Sequence, residues 1–169
     1  MGYRNKTYVI FDGDKDMWAY AYMKGWKQSE HIDFDFYDAH DLKPLTPRAE
    51  DEQYIKARLR ERFQNTIQTI VLIGENTKNL FRFVRWEIET AQSLRVPVIA
   101  VNLNGKRQID SDRCPAILRD YTAVHVSFNA RIIQRAMDSF SNEYKSLPAG
   151  SPRHYSDEVY RTLEGTCIR

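Results

Sequence analysis

The stretch TIVLIGENTKNLFRFVRWEIETAQSLRVPVIAVNLNG, residues 69–105, decides the fold. It opens on the apolar run TIVLI and reaches VPVIAV near its end, with a segment of helical period between them. Short Ile- and Val-rich runs without polar alternation suit strands covered on both faces. A strand, a helix and a second such strand form a βαβ unit, whose strands are parallel.

The pattern repeats along the chain. Strands are expected at residues 7–11, 34–37, 69–73, 96–101 and 123–126. Helices are expected at 17–26, 51–64, 80–94 and 129–144. The second carries Ile55, Leu59 and Phe63 on one face, and the last carries Ile133, Met137 and Phe140 or Ile132, Ala136 and Phe140. This alternation predicts an α/β, flavodoxin-like, doubly wound domain with a five-stranded parallel sheet and helices on both faces. Ligands in that architecture sit at the carboxyl ends of the strands, here residues 12–16, 38–41, 74–77 and 102–105. The segment DLKPLTPR (41–48) reads as a loop. It precedes acids at Glu50, Asp51 and Glu52 that suit a helix N-terminus. Residues 1–145 form the expected domain, and 146–169 a polar tail packing on or extending from it, with one short helix.

The bulk numbers exclude several classes. A chain of 169 residues is long enough for one domain with its own core. A net charge of +2 makes no case for a nucleic-acid binder. No apolar segment nears the roughly 20 residues of a membrane helix. The start MGYRNKTYVIF enters a strand-like run directly, so no signal peptide is expected. Cys114 and Cys167 lack metal-ligand spacing, which points to a reduced, cytoplasmic protein without a metal.

The first strand ends in FDGDKD, with Asp12, Asp14 and Asp16 alternating. A haloacid-dehalogenase phosphatase needs an aspartate, a second acid two residues on and a small residue at the fifth motif position. Asp12 and Asp14 fit, but Asp16 fills the fifth position and no later acidic pair stands at a strand end. A calcium loop needs Gly and Glu where Met17 and Met23 stand, so that reading fails. A receiver domain needs its aspartate after the third strand, where the chain reads Ile73-Gly74-Glu75. The plain alternative is that the acids accept backbone N–H bonds at the start of the following helix.

The helix within the opening stretch carries a sharper signal. Projected at about 100° per residue, Leu80, Phe83, Val84, Ile88, Ala91 and Leu94 define one apolar arc. Arg82, Arg85, Glu89 and Gln92 face away. Glu87 falls inside the arc. A carboxylate there must be paired, hydrogen-bonded or set at a cavity wall, because an unpaired buried charge is costly. An ion pair with a neighbouring helix and a functional acid both satisfy that requirement.

Phe83-Val84-Arg85-Trp86-Glu87 resembles the aromatic-x-x-x-Glu motif of TIR domains, whose Glu is catalytic in NAD cleavage. VLIGENT, RFVRWEIETAQ and VPVIAVNLNG, with FDGDKD and DFDFYDAHDL, resemble the bacterial TIR-like family that includes the NAD-processing partner of Thoeris anti-phage defence. The resemblance covers about residues 6–140. Phe83 stands where the motif usually has Trp, and Asp12 or Gly13 where classical TIR domains commonly carry Ser.

The resemblance implies a cytoplasmic enzyme that cleaves NAD+ as substrate, with no cofactor, and makes a cyclic or modified ADP-ribose signal. That product would act on a downstream effector, and self-association through the domain would complete the site. Glu87 is then the catalytic residue. Phe11, Asp12, Gly13 and Asp14 line the first strand mouth. Asp38 and His40 lie at the second, as ribose or adenine partners, and Phe83 and Trp86 frame the pocket. Lys43, Arg48 and Arg82 are candidates for the diphosphate. Two other readings stand beside it, a non-catalytic TIR-like interaction module and a nucleoside deoxyribosyltransferase-like enzyme. No nucleic acid and no membrane are expected as partners.

Overall fold

The computed structural model describes residues 6–38 and 52–165. Along the chain run β1 (Lys6–Ile10), α1 (Met17–Gln28), β2 (Tyr37–Asp38), α2 (Glu52–Phe63), β3 (Gln68–Ile73) and α3 (Phe83–Ser93). Then follow β4 (Val98–Asn102), α4 (Ala116–Arg119), β5 (Ala123–Ser127), α5 (Ala130–Tyr144), β6 (Arg153–His154) and α6 (Asp157–Gly165). The strands order as β2-β1-β3-β4-β5-β6, and every neighbouring pair is parallel. The first five positions give the flavodoxin-like order, with the direction of winding reversing between β1 and β3.

Strand periodicity sorts the core into two layers. Val9, Ile70, Leu72, Ile99, Val101, Val124 and Val126 face α1, α5 and α6. Tyr8, Ile10, Val71, Ile73, Val98 and Ala100 face the other layer, where Phe63 of α2, Val84 and Ile88 of α3 and Leu118 of α4 close over them. Every residue of β3 and β4 is buried, which explains their unbroken apolar runs. α5 is held by Ile132, Ile133, Met137 and Phe140, each worth about 1.5–3 kcal/mol of transfer free energy. Its N-cap is Asn129, whose side chain accepts from the Arg131 N–H at 2.9 Å.

Three expectations change. The second strand is only Tyr37–Asp38, because Phe34 and Phe36 use their alternation differently. Both rings are buried against the α1 layer, and the Asp35 N–H donates to Gln134 Oε1 at 2.9 Å instead of joining a ladder. The third helix begins at Phe83 rather than Leu80. Thr77–Asn79 forms a 3₁₀ turn first, fastened by the Gly74 N–H donating to Thr77 Oγ1 at 2.9 Å. Finally, Phe83 and Leu94 are 43% and 45% exposed, so the apolar arc of α3 narrows to Val84, Ile88 and Ala91.

The chain after α5 returns to the sheet. β6 adds a sixth, two-residue strand beside β5. Tyr160 of α6 is buried, and its hydroxyl accepts the Ser127 N–H at 3.1 Å.

His125, in β5, is 1% exposed, and neither ring nitrogen has a partner among the described residues. Burial and the neighbouring His154 push its pKa down to about 4. The unfolded chain therefore takes up the proton first, so this contribution to stability is complete above pH 6.5 and is lost as pH falls towards 4. Urea unfolding at pH 7 and 4.5 is expected to show the native chain losing about 2–3 kcal/mol more than His125→Leu. Equal losses would show that His125 finds a partner on protonation.

Candidate functional site

Glu87 lies in the second turn of α3, on the half nearest the carboxyl ends of the strands. Tyr8 reaches it from β1. Tyr8 is fully buried, stacks obliquely on Phe63 of α2 with ring centroids 4.5 Å apart, and donates its hydroxyl to Glu87 Oε1 at 2.7 Å. Burial, reinforced by the Glu87 charge, raises the Tyr8 pKa far above the ordinary range, so the hydroxyl keeps its proton and stays the donor. The Arg62 guanidinium of α2 adds a favourable charge.

Burial outweighs both helpers. Glu87 keeps some surface, yet desolvation of its carboxyl group lifts the pKa to about 7, against the lowering effects of Tyr8 and Arg62. A completed ion pair would push the other way. The group is therefore poised between acid and carboxylate near neutral pH, as catalytic carboxyls are.

The aromatic neighbours form a separate patch. Phe83 and Trp86 meet edge to face at 5.7 Å, and the Arg82 guanidinium covers both rings at 5.4 and 5.7 Å. Lys56 of α2 lies 5.5 Å from the Trp86 ring centre. Trp86 thus ties α2 to α3 through cation–π contact, while Phe83 presents an exposed ring one turn before Glu87.

The first strand mouth is built differently. Asp12 is buried, and its Oδ1 accepts the Asp14 and Lys15 N–H groups at 3.0 and 3.3 Å. Its Oδ2 accepts from Asn76 Nδ2 at 3.3 Å, linking the ends of β1 and β3 where the winding reverses. Asp16, the N-cap of α1, makes no side-chain capping bond, so Asp12 fastens the preceding turn rather than the helix itself. The Asp16 carboxylate instead packs where a Cβ on Gly74 would stand, so a side chain there would displace it. Burial and the Asp12 charge raise the Asp16 pKa.

Residues 8–108 match the family model described as Thoeris protein ThsB, TIR-like domain. The chain belongs to this family. The match covers more than half the chain and comes with a TIR-like role in defence. No curated protein matches the chain.

Within this TIR-like domain the expected site residues fall into distinct places. Glu87, Phe83 and Trp86 share α3. Asp12 belongs to the loop at the winding reversal, with Gly13 and Asp14 exposed beside it. Phe11 turns to the opposite layer, stacked on Tyr20 at 4.7 Å. The Asp38 side chain, and His40, Lys43 and Arg48 entirely, lie outside the described residues. Tyr8 and Arg62 were not singled out by sequence. Tyr8 had a signal, since a phenol in a buried strand needs a partner on the face to which Ile10 also points. Among the described residues no group of three or more His, Cys, Asp or Glu is placed to hold a metal, and no helix is long and apolar enough to cross a membrane.

The raised Glu87 pKa has a stability consequence with a definite sign. Stability from this group is complete below pH 4.5 and is lost as pH rises through about 7. Glu87→Gln keeps the acceptor for Tyr8 without the charge. It is expected to gain about 3 kcal/mol over the native chain at pH 8, relative to their difference at pH 4.5. Urea titrations at both values check this, and a pH-independent difference would remove the desolvation argument.

Proposed function

We propose that this TIR-like domain cleaves NAD+ between nicotinamide and ribose, with Glu87 as the catalytic carboxylate. The observation that carries this reading is Glu87 itself, a desolvated carboxyl group on the inward side of α3 gripped at one oxygen by Tyr8. Nicotinamide leaves as a neutral pyridine with the electron pair of the glycosidic bond, so positive charge develops on the ribose. A carboxylate in low-dielectric surroundings stabilises that charge far better than one in water. Tyr8 occupies Oε1, which leaves Oε2 for the ribose hydroxyls or the developing cation.

The ribosyl cation is then captured by a nucleophile. Water gives ADP-ribose and releases one proton; an adenine ring nitrogen gives a cyclic isomer. Either product suits a diffusible signal read by an effector in defence. Self-association of the domain would complete the site around the exposed Phe83 side of α3, so the reaction is best followed at high protein concentration with a crowding agent.

Nicotinamide release tests the reading. Glu87→Gln is expected to reduce kcat by about 10²–10³-fold, the usual loss when one electrostatic stabiliser is removed. Equal release by both proteins would leave Glu87 a structural acid. Absence of release from both, under conditions that support self-association, would favour an interaction module. The kcat/KM of the native chain is expected to rise with pH through about 7, as Glu87 ionises.

Tyr8→Phe separates positioning from catalysis. The lost hydrogen bond favoured the ionised form, so the midpoint of the pH profile is expected to move up by about one unit. Activity should recover at higher pH. A uniform loss at every pH would show that Tyr8 only supports the packing.

A further inference from the structure

A wide groove on the described surface lies at the amino ends of the strands, away from Glu87. It measures about 1040 Å³, comparable with small-molecule sites. Its walls come from the loops before β3, β4 and β5 and from the end of α5. Two cations stand in this lining, Arg95 and Lys145, and no carboxylate does. In a chain with 25 basic and 23 acidic residues, that separation of charge is a local feature and not a consequence of composition.

Arg95 breaks a folding rule to be there. It follows α3 with φ 53°, and is the only non-glycine residue with positive φ among the described residues. The Val96 N–H donates to Ala91 O at 2.9 Å and the Arg95 N–H to Gln92 O at 3.0 Å, the pattern that closes helices on a left-handed residue, usually glycine. Cations do favour helix carboxyl ends. That preference would be met equally at Leu94, one residue earlier, without the left-handed backbone. The Arg95 guanidinium forms no ion pair or hydrogen bond among the described residues, in contrast to Arg58, Arg85, Arg107, Arg113 and Arg131. Lys145, which closes α5, is equally unpaired there.

The remaining lining completes a recognition surface. The Tyr121 and Tyr144 hydroxyls pair at 2.9 Å, with one proton left to donate outward. Arg95 lines the same groove as this pair, and its charge opposes the larger effect of burial that raises the Tyr121 pKa. Leu94 and Ile67, 45% and 47% exposed, supply apolar surface.

We propose that this groove binds a phosphate-bearing small molecule of about nucleotide size, with Arg95 and Lys145 holding the phosphate. A guanidinium fork and an ammonium converging on one pocket match a phosphate dianion, and the hydroxyl pair and apolar wall receive the organic part.

Amide chemical shifts of the full isotope-labelled chain, titrated separately with AMP, inorganic phosphate and adenosine, test the site. AMP and phosphate are expected to move the resonances of Arg95, Lys145 and Asn142, with AMP the tighter, whereas adenosine alone leaves them in place. Arg95→Gly is the decisive variant, because glycine suits the left-handed position and the fold is retained. It is expected to weaken AMP binding by at least roughly tenfold without lowering the midpoint of thermal unfolding. Lys145→Gln should weaken it as well. Retained AMP affinity in Arg95→Gly, an equal response to adenosine, or shifts spread evenly over all surface cations would overturn the proposal. Reading the groove's own resonances keeps this outcome separate from events at Glu87.

Discussion

The hydrogen bond from Tyr8 to Glu87 joins the sheet to the helix that carries the proposed catalytic acid. Tyr8 sits in β1, with no exposed surface, so its hydroxyl must be satisfied inside the protein. Glu87 supplies the acceptor, and in return one carboxylate oxygen is fixed. The packing of α3 follows from this pairing as much as from its apolar residues. Val84, Ile88 and Ala91 set the helix on the sheet, but they form a narrow stripe. The Tyr8 contact and the Lys56–Trp86 stack determine how the helix is rotated and how it meets α2.

The two ends of the sheet differ in electrostatic character. At the carboxyl ends of β1 and β3, Asp12 and Asp16 are buried side by side, and Asp14 stands outside them. This mouth favours a positively charged ring and disfavours a diphosphate. At the amino ends Arg95 and Lys145 face a groove without carboxylates. The cationic cover on Phe83 and Trp86, from Arg82 and Lys56, lies beside Glu87 and offsets the acidic mouth on that side.

The architecture was legible because a parallel sheet buried on both faces leaves nearly continuous apolar runs. TIVLI and VIAV identify β3 and β4 with no help from neighbours. β2 was less legible, since DFDF has the period of a strand while Phe34 and Phe36 are anchored by α1 side chains. Glu87 could be found because it interrupts a helical apolar stripe. Phe83 and Leu94 were expected beside it and are exposed, because a 100° projection assigns faces without knowing how wide the covering layer is. Tyr8 and Arg62 come from separate elements, and their meeting with Glu87 depends on β1 and α2 flanking the same side of α3. No spacing in the sequence records that.

Three of the described residues that depart from the rules of stable folding are distinguished by their settings. Glu87 is a desolvated acid, Arg95 a left-handed arginine, and His125 an imidazole enclosed without partners. Local departures persist where something compensates them, and functional sites are where such compensation is common. Glu87 retains some surface and carries one firm hydrogen bond, from Tyr8 to Oε1. Arg95 is exposed and directed to an open groove. His125 is closed on all sides within β5, where a ligand cannot approach, and its effect is confined to stability at low pH. Accessibility, more than the energetic cost of each departure, therefore separates the two residues with a functional reading from the one without.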